Sequence, residues 1–346
     1  MLKAGLIGYG LAGRYLHAPL MALEGFDVRA AVTSRAADLA ADFPAARALP
    51  DLDALLAEPL DLVVVASPSH LHVEHARAAL EAGRHVVIDK PFAAASVDAL
   101  ALVEQAEQKR RVLSVYQNRR WDSDFLTLRR LLAEGRLGTP TFYEARWDRF
   151  RPQPGDVWRE RDAPAAGMLY DLGSHLIDQA LVLFGIPDWL QADVAIQRDG
   201  GVVDDCFQIL MGKGALRISL GCTMVAPDSQ RITRVLGPRG AYVKRGIDPQ
   251  EAQLRAQHSP APTNLGTDET VAAFTDDAGV WAPLASERGD WRAFYRGMRA
   301  AISDGAPPPV PPREAARVIA LIEAALEGSH AGRRIDIPAW LTSRGF

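Results

Sequence analysis

The chain has 346 residues, enough for two domains that each bury a core. Apolar residues make up 48% and charged residues 24%, and a net charge of −4 supplies no field to recruit nucleic acid or an anionic membrane. Two cysteines, Cys206 and Cys222, exclude a disulfide framework. They fall in apolar, strand-like runs and are expected to be buried free thiols in a reducing cytoplasm. No apolar run reaches the roughly 18 residues that a membrane span needs. Nor does the first segment pair a basic stretch with a signal-peptide core.

Up to about residue 120 the pattern alternates strand and helix. Strands are expected at Lys3–Gly8, Val28–Thr33, Leu60–Ala66, Arg84–Asp89 and Val112–Tyr116. Most are near-continuous apolar runs, which suit parallel strands covered on both faces. Helical patterns lie between them, at Arg14–Leu23, Ala36–Phe43, Leu52–Glu58, His70–Ala82 and Val97–Lys109. Ser69 and Ser96 are expected as N-caps and Gly83 as a C-terminal stop. This is the pattern of a doubly wound α/β domain with a ligand crevice at the carboxyl ends of its strands.

After a helix at Asp122–Glu134 the pattern changes. Strands follow one another at Thr141–Phe150, Gln191–Gln197, Asp204–Met211, Ala215–Thr223, Thr233–Gly237 and Ala241–Lys244, with one helix, Leu169–Phe184, before most of them. Such grouping implies an α+β domain on a large, mainly antiparallel open sheet. The stretch Gln250–Ala285 gives no clear reading. Helices Trp291–Ser303 and Arg313–Gly328 follow, joined by a proline run expected to act as a stiff connector. The expected division is therefore 1–120 and 121–346.

The first strand runs into Gly8-Tyr9-Gly10-Leu11-Ala12-Gly13 and then a helix. In this order Gly8 permits a tight turn, Gly10 a close backbone approach to pyrophosphate, and Gly13 close helix–strand packing. The helix start, with Leu11 and Ala12, offers unpaired N–H groups to the anion. After the second strand stands Val32-Thr33-Ser34-Arg35, with no acid to meet a ribose 2′-hydroxyl. Ser34 and Arg35 suit a 2′-phosphate instead, so NADP is the expected cofactor, with NAD possible. His70, His72 and His75 lack a converging ligand set, and no metal is expected.

Three further segments carry a resemblance: Ser67-Pro68-Ser69-His70-Leu71-His72, Asp89-Lys90-Pro91, and Gly167 to Asp178 with its Tyr170-Asp171-Leu172-Gly173-Ser174-His175 core. With the glycine loop they make the whole chain resemble the glucose–fructose oxidoreductase, inositol dehydrogenase and rhizopine-catabolism (Gfo/Idh/MocA) oxidoreductase family. Thr33-Ser34-Arg35, Ser114 to Leu126 and Asp148-Arg149-Phe150-Arg151-Pro152 resemble in particular its bacterial NADP-dependent scyllo-inositol dehydrogenases and their relatives. In two places the chain departs from that pattern. Asp89 stands where the family usually has Glu, and Gln117 where His is commoner.

The resemblance implies hydride transfer between a nicotinamide and a hydroxyl or ketone of a cyclitol or sugar. It also implies roles for particular residues. Lys90, after a cis bond to Pro91, stabilises developing alkoxide. His175 is general base or acid, with Asp171 four residues earlier as its partner. Ser67, Pro68, His72 and Asp89 are expected along the cofactor path. Asn118, Trp158 and Arg159 are expected to bind a polyhydroxylated substrate beside Lys90, Asp171 and His175. Relatives imply a homodimer or homotetramer paired through the second sheet. Two other readings remain at this stage: a glycosidase that holds NAD tightly, and a non-catalytic nicotinamide sensor.

Overall fold

The computed structural model describes residues 1–155, 160–229, 231–258 and 262–346. It divides into two units, and the first is not a single stretch of chain: Met1–Asn118 is joined by Pro249–Gly266 and Asp290–Ala316. The second unit takes Arg119–Asp248, Thr267–Gly289 and Arg317–Phe346. A single cut between residues 120 and 121 thus misassigns the two later segments.

Six strands form the sheet of the first unit: β1 (Leu2–Ile7), β2 (Phe26–Val32), β3 (Arg47–Leu49), β4 (Leu62–Val65), β5 (His85–Ile88) and β6 (Leu113–Val115). Their order is β3-β2-β1-β4-β5-β6 and every pair is parallel. The chain turns back between β1 and β4, leaving a crevice at the strands' carboxyl ends. β4 is buried throughout, as its unbroken Leu-Val-Val-Val run requires. β3 was missed in the sequence, because it is three residues long on the sheet edge and two of them are exposed.

Helix ends also depart from expectation. Ala95 holds the N-cap position before helix Ser96–Lys109, and Pro68 precedes the short turn Ser69–Leu71, so neither serine is the cap residue. Gly83 does end its helix, at φ +72°, with Gly83 N–H donating to Leu80 O and Arg84 N–H to Ala79 O.

The later segments join this unit through apolar faces. Helix Arg292–Asp304 buries Phe294, Tyr295, Met298 and Ala301. Of these, Phe294 and Tyr295 meet Phe26, Tyr116 and His17 in an aromatic cluster. The proline run is anchored too: Val310 is buried, and its carbonyl accepts a hydrogen bond from Ser114 Oγ at 2.8 Å.

In the second unit the strands are β7 (Phe142–Trp147), β8 (Trp189–Ala195), β9 (Cys206–Lys213), β10 (Leu216–Thr223), β11 (Arg231–Gly237), β12 (Gly240–Arg245), β13 (Ala272–Asp276), β14 (Trp281–Leu284) and β15 (Ile335–Asp336). They form one sheet in the order β14-β13-β12-β11-β7-β10-β9-β8-β15. Among the described residues only the β7–β10 pair of this sheet is parallel. Burial alternates along β7, as one covered face demands. β13 and β14 fill part of the stretch that gave no reading in the sequence.

Helix Ser174–Phe184 continues directly from a wider helical turn, Leu169–Gly173. Cys206 and Cys222 are free and buried, and burial pushes the Cys222 thiol up to about 12. Among the described residues no helix is long and apolar enough to cross a membrane.

Candidate functional site

The glycine loop leaves β1 at Ile7, and its three glycines do different work. Gly8 has φ +100°, and a Cβ there would lie 2.5 Å from Ala66 O. A Cβ on Gly13 would lie 2.1 Å from Gly8 O, so helix and loop close only without one. Around Gly10 such a Cβ would meet nothing within 4 Å. Gly8 and Gly13 are therefore needed by the protein's own packing, whereas Gly10 faces open space. That open backbone, at the start of the helical run containing Leu11, Ala12 and Gly13, fits a dinucleotide pyrophosphate.

Past β2, the Thr33 Oγ1 accepts from Arg35 N at 2.9 Å, which shapes the turn. Ser34 is exposed, and the Arg35 side chain is 59% exposed with only a long contact, 3.8 Å, to Asp38. Arg14, also near the loop, is committed elsewhere. It bonds Asp42 at 2.7 Å and Asp38 at 2.8 Å, and Asp42 accepts from Tyr9 Oη as well.

Beyond β4, Ser67 is held by two histidines. Its Oγ pairs with His75 Nδ1 at 2.9 Å, and its carbonyl oxygen lies 2.9 Å from His72 Nε2. Pro68 follows and leads into the turn Ser69–Leu71. His72 is buried beneath this loop. Among the described residues no group of three or more His, Cys, Asp or Glu is placed to hold a metal ion.

Asp89 and Lys90 follow β5 immediately, and the Lys90–Pro91 peptide is cis. Asp89 Oδ1 accepts from Lys90 N at 3.0 Å and lies 3.7 Å from His17 Nε2. Burial pushes the Asp89 carboxyl up, but the nearby His17 imidazole and the charges of Lys90 and His72 outweigh it and hold the group below its usual range. Asn118, at the end of the first stretch of this unit, is buried. A cavity of about 300 Å³ lined by Lys3, Arg29, Arg47 and Glu58 also belongs to this unit, but none of the residues above lines it.

In the second unit Asp171 lies in the turn Leu169–Gly173, and His175 follows in the first turn of helix Ser174–Phe184. His175 is buried, with its ring 5.7 Å from that of Trp147. The Arg119 and Arg231 guanidinium groups lie over the same Trp147 ring at 4.9 and 4.2 Å. Trp158 and Arg159 lie outside the described residues.

Three more residues support this region, and one of them, Asp204, lies in no motif. Asp204 Oδ2 accepts from Leu169 N at 2.7 Å, and its backbone oxygen from Met168 N at 2.9 Å, so it anchors the helical run that carries Asp171 and His175. Burial pushes the Asp204 carboxyl up to about 6 against those hydrogen bonds. Arg149 follows β7. Burial lowers its pKa, Asp171 opposes that, and Arg151 and Arg119 reinforce it. Asp178 accepts two hydrogen bonds from Arg120, at 2.8 and 2.7 Å, which ties the turn Asn118–Trp121 to the His175 helix. Arg149 and Asp178 had a signal in the sequence, through the segments Asp148 to Pro152 and Gly167 to Asp178, whereas Asp204 had none.

Comparison with known proteins places this geometry. Residues 2–117 match the oxidoreductase family with an NAD-binding Rossmann fold, and residues 125–243 match the GFO/IDH/MocA C-terminal domain. A scyllo-inositol 2-dehydrogenase (NADP(+)) of Bacillus subtilis is 38% identical, over 96% of this chain and 95% of its own length. An oxidoreductase of Escherichia coli is 40% identical over 95% of this chain and 96% of its own. The solved structure of an oxidoreductase from Bacillus subtilis superposes with a TM-score of 0.93 at 37% identity, covering 97% of this chain and 98% of that one. The chain belongs to the Gfo/Idh/MocA oxidoreductases, NAD(P)-dependent enzymes with a Rossmann domain that act on CH–OH groups.

Proposed function

We propose that this enzyme transfers hydride between NADP and a secondary hydroxyl, or the matching ketone, of a cyclitol or sugar, with scyllo-inositol as the first substrate to test. The observation that carries the cofactor half is the contrast within the glycine loop: Gly10 alone of its three glycines faces open space. For NADP over NAD, the support is the exposed Ser34–Arg35 pair where an acid would serve a free ribose. The relative named as an NADP-dependent scyllo-inositol dehydrogenase supports the substrate class.

Bound at the loop, the nicotinamide group supplies the acceptor or donor for a hydride. The chain supplies the rest. During oxidation an imidazole nitrogen of His175 takes the hydroxyl proton, while the carbinol hydrogen leaves with its electron pair. Asp171 orients that base and raises its basicity. The Lys90 Nζ ammonium stabilises oxygen as it gains negative charge, and reduction reverses each role. Asn118, Trp158 and Arg159 are assigned to the remaining hydroxyls. Ser67, Pro68 and Asp89 are assigned to the dinucleotide path. We also propose that copies pair through the second unit's sheet, which light scattering of the purified chain checks directly.

Initial rates with NADP⁺ and NAD⁺ across inositol isomers and common aldoses test the reading. Turnover with at least one cyclitol, and a higher kcat/KM for NADP⁺, is the expected result. Lys90→Ala and His175→Ala are each expected to lower kcat by about 10²–10⁴. Undiminished turnover in His175→Ala removes the base assignment.

A further inference from the structure

His72 opens the helix His72–Glu81, and only 1% of its surface is exposed. So little exposure leaves it no face for direct cofactor contact. Instead both ring nitrogens face carbonyl oxygens, Nδ1 to Pro91 O at 2.8 Å and Nε2 to Ser67 O at 2.9 Å. A carbonyl only accepts, so each contact calls for an N–H, and a neutral imidazole carries one. A neutral ring would press a nitrogen lone pair against an oxygen lone pair, away from water.

The surroundings supply the counter-charge. Burial draws the His72 pKa below its ordinary value, and the Asp89 carboxylate and both carbonyl contacts offset only part of that. Asp89 also faces His17, which is fully buried and whose Nδ1 meets the Tyr295 hydroxyl at 2.5 Å, and it neighbours Lys90. His75, one turn along the same helix, is itself lowered by burial, which limits its repulsion of a charge on His72. Two carbonyl oxygens at hydrogen-bond distance decide the matter over the desolvation cost, because only the doubly protonated ring satisfies both.

We propose that His72 is a positioning residue: as an imidazolium balanced by Asp89 it donates to the carbonyl oxygens of Ser67 and Pro91, and so fixes Lys90 relative to the loop that lines the dinucleotide path. This rests on the reading of Ser67 and Lys90 given above. One side chain thereby joins the loop after β4 to the loop after β5, two adjacent strands whose own ladder ends at Val65 and Ile88.

The test uses the full chain labelled with ¹⁵N in histidine, with the His72 signals assigned by their loss in His72→Asn. Near neutral pH both His72 ring nitrogens are expected to carry protons, and Asp89→Asn is expected to move the loss of one proton to lower pH. His72→Phe keeps the ring's bulk without its donors. It is expected to weaken NADP⁺ binding, read by fluorescence titration, about tenfold, and to lower kcat about tenfold to hundredfold with the polyol KM little changed. A single ring proton on His72, or wild-type binding and kcat in His72→Phe, overturns the proposal. Lys90→Ala separates the two layers: if it turns over normally the site reading fails, whereas an inactive Lys90→Ala beside a singly protonated His72 removes the clamp alone.

Discussion

The two units use their sheets in opposite ways. In the first, the parallel strands β4, β5 and β6 are buried on both faces, and the candidate groups sit on loops just past strand ends: Gly10 after β1, Arg35 after β2, Ser67 after β4, Lys90 after β5. In the second, a mixed sheet alternates its burial, and the candidate groups Asp171 and His175 ride on a helical run held by Asp204 and Arg120 from distant sequence. The turn at the glycine loop is set by neighbouring residues, and His72 alone is asked to join the two later loops. Chemistry held by remote partners is exposed to their loss.

Substitutions in the two units sharpen that contrast. Gly13→Ala is expected to have the largest effect, because its Cβ would strike backbone rather than a movable side chain. Loss of folded protein, read by circular dichroism and thermal melting, is expected there. Gly10→Ala is expected to melt near wild type while weakening dinucleotide binding, since only a ligand would meet its methyl group. Equal melting losses in both would erase the distinction between packing and ligand glycines.

In the second unit, Asp178→Ala removes both carboxylate hydrogen bonds from the buried Arg120 guanidinium and is expected to cost about 3–5 kcal/mol in denaturant unfolding. Asp204 gives a pH signature of smaller size. Its folded pKa, about 6, lies above the ordinary carboxylate value of 3.8, so the folded state holds the proton more tightly. Its favourable contribution is complete below the unfolded value and is lost as pH rises through about 6, a span of about 2–3 kcal/mol. Asp204→Asn is expected to flatten that part of the stability profile, and an unchanged slope would deny the assignment.

The smallest effect returns to the first unit. Arg35→Ala is expected to reduce the NADP⁺ over NAD⁺ ratio of kcat/KM by about tenfold, the worth of one charge-assisted hydrogen bond. Thermal stability is expected to hold, because Arg35 is exposed and only loosely paired.

The sequence by itself determined the alternation of the first unit, the glycine loop, and the short motifs holding Lys90, Asp171 and His175. Those features depend on local rules: apolar runs, turn residues, and spacing along a helix. Tertiary structure decided what has no local signature. It returned Pro249–Gly266 and Asp290–Ala316 to the first unit, because the helix Arg292–Asp304 buries Phe294 and Tyr295 among aromatic side chains far away in sequence. It also gave Asp204, Asp178 and His72 their duties. A carboxylate or imidazole becomes an anchor only when folding removes water and brings its partner within hydrogen-bond reach, and no window of sequence contains both events.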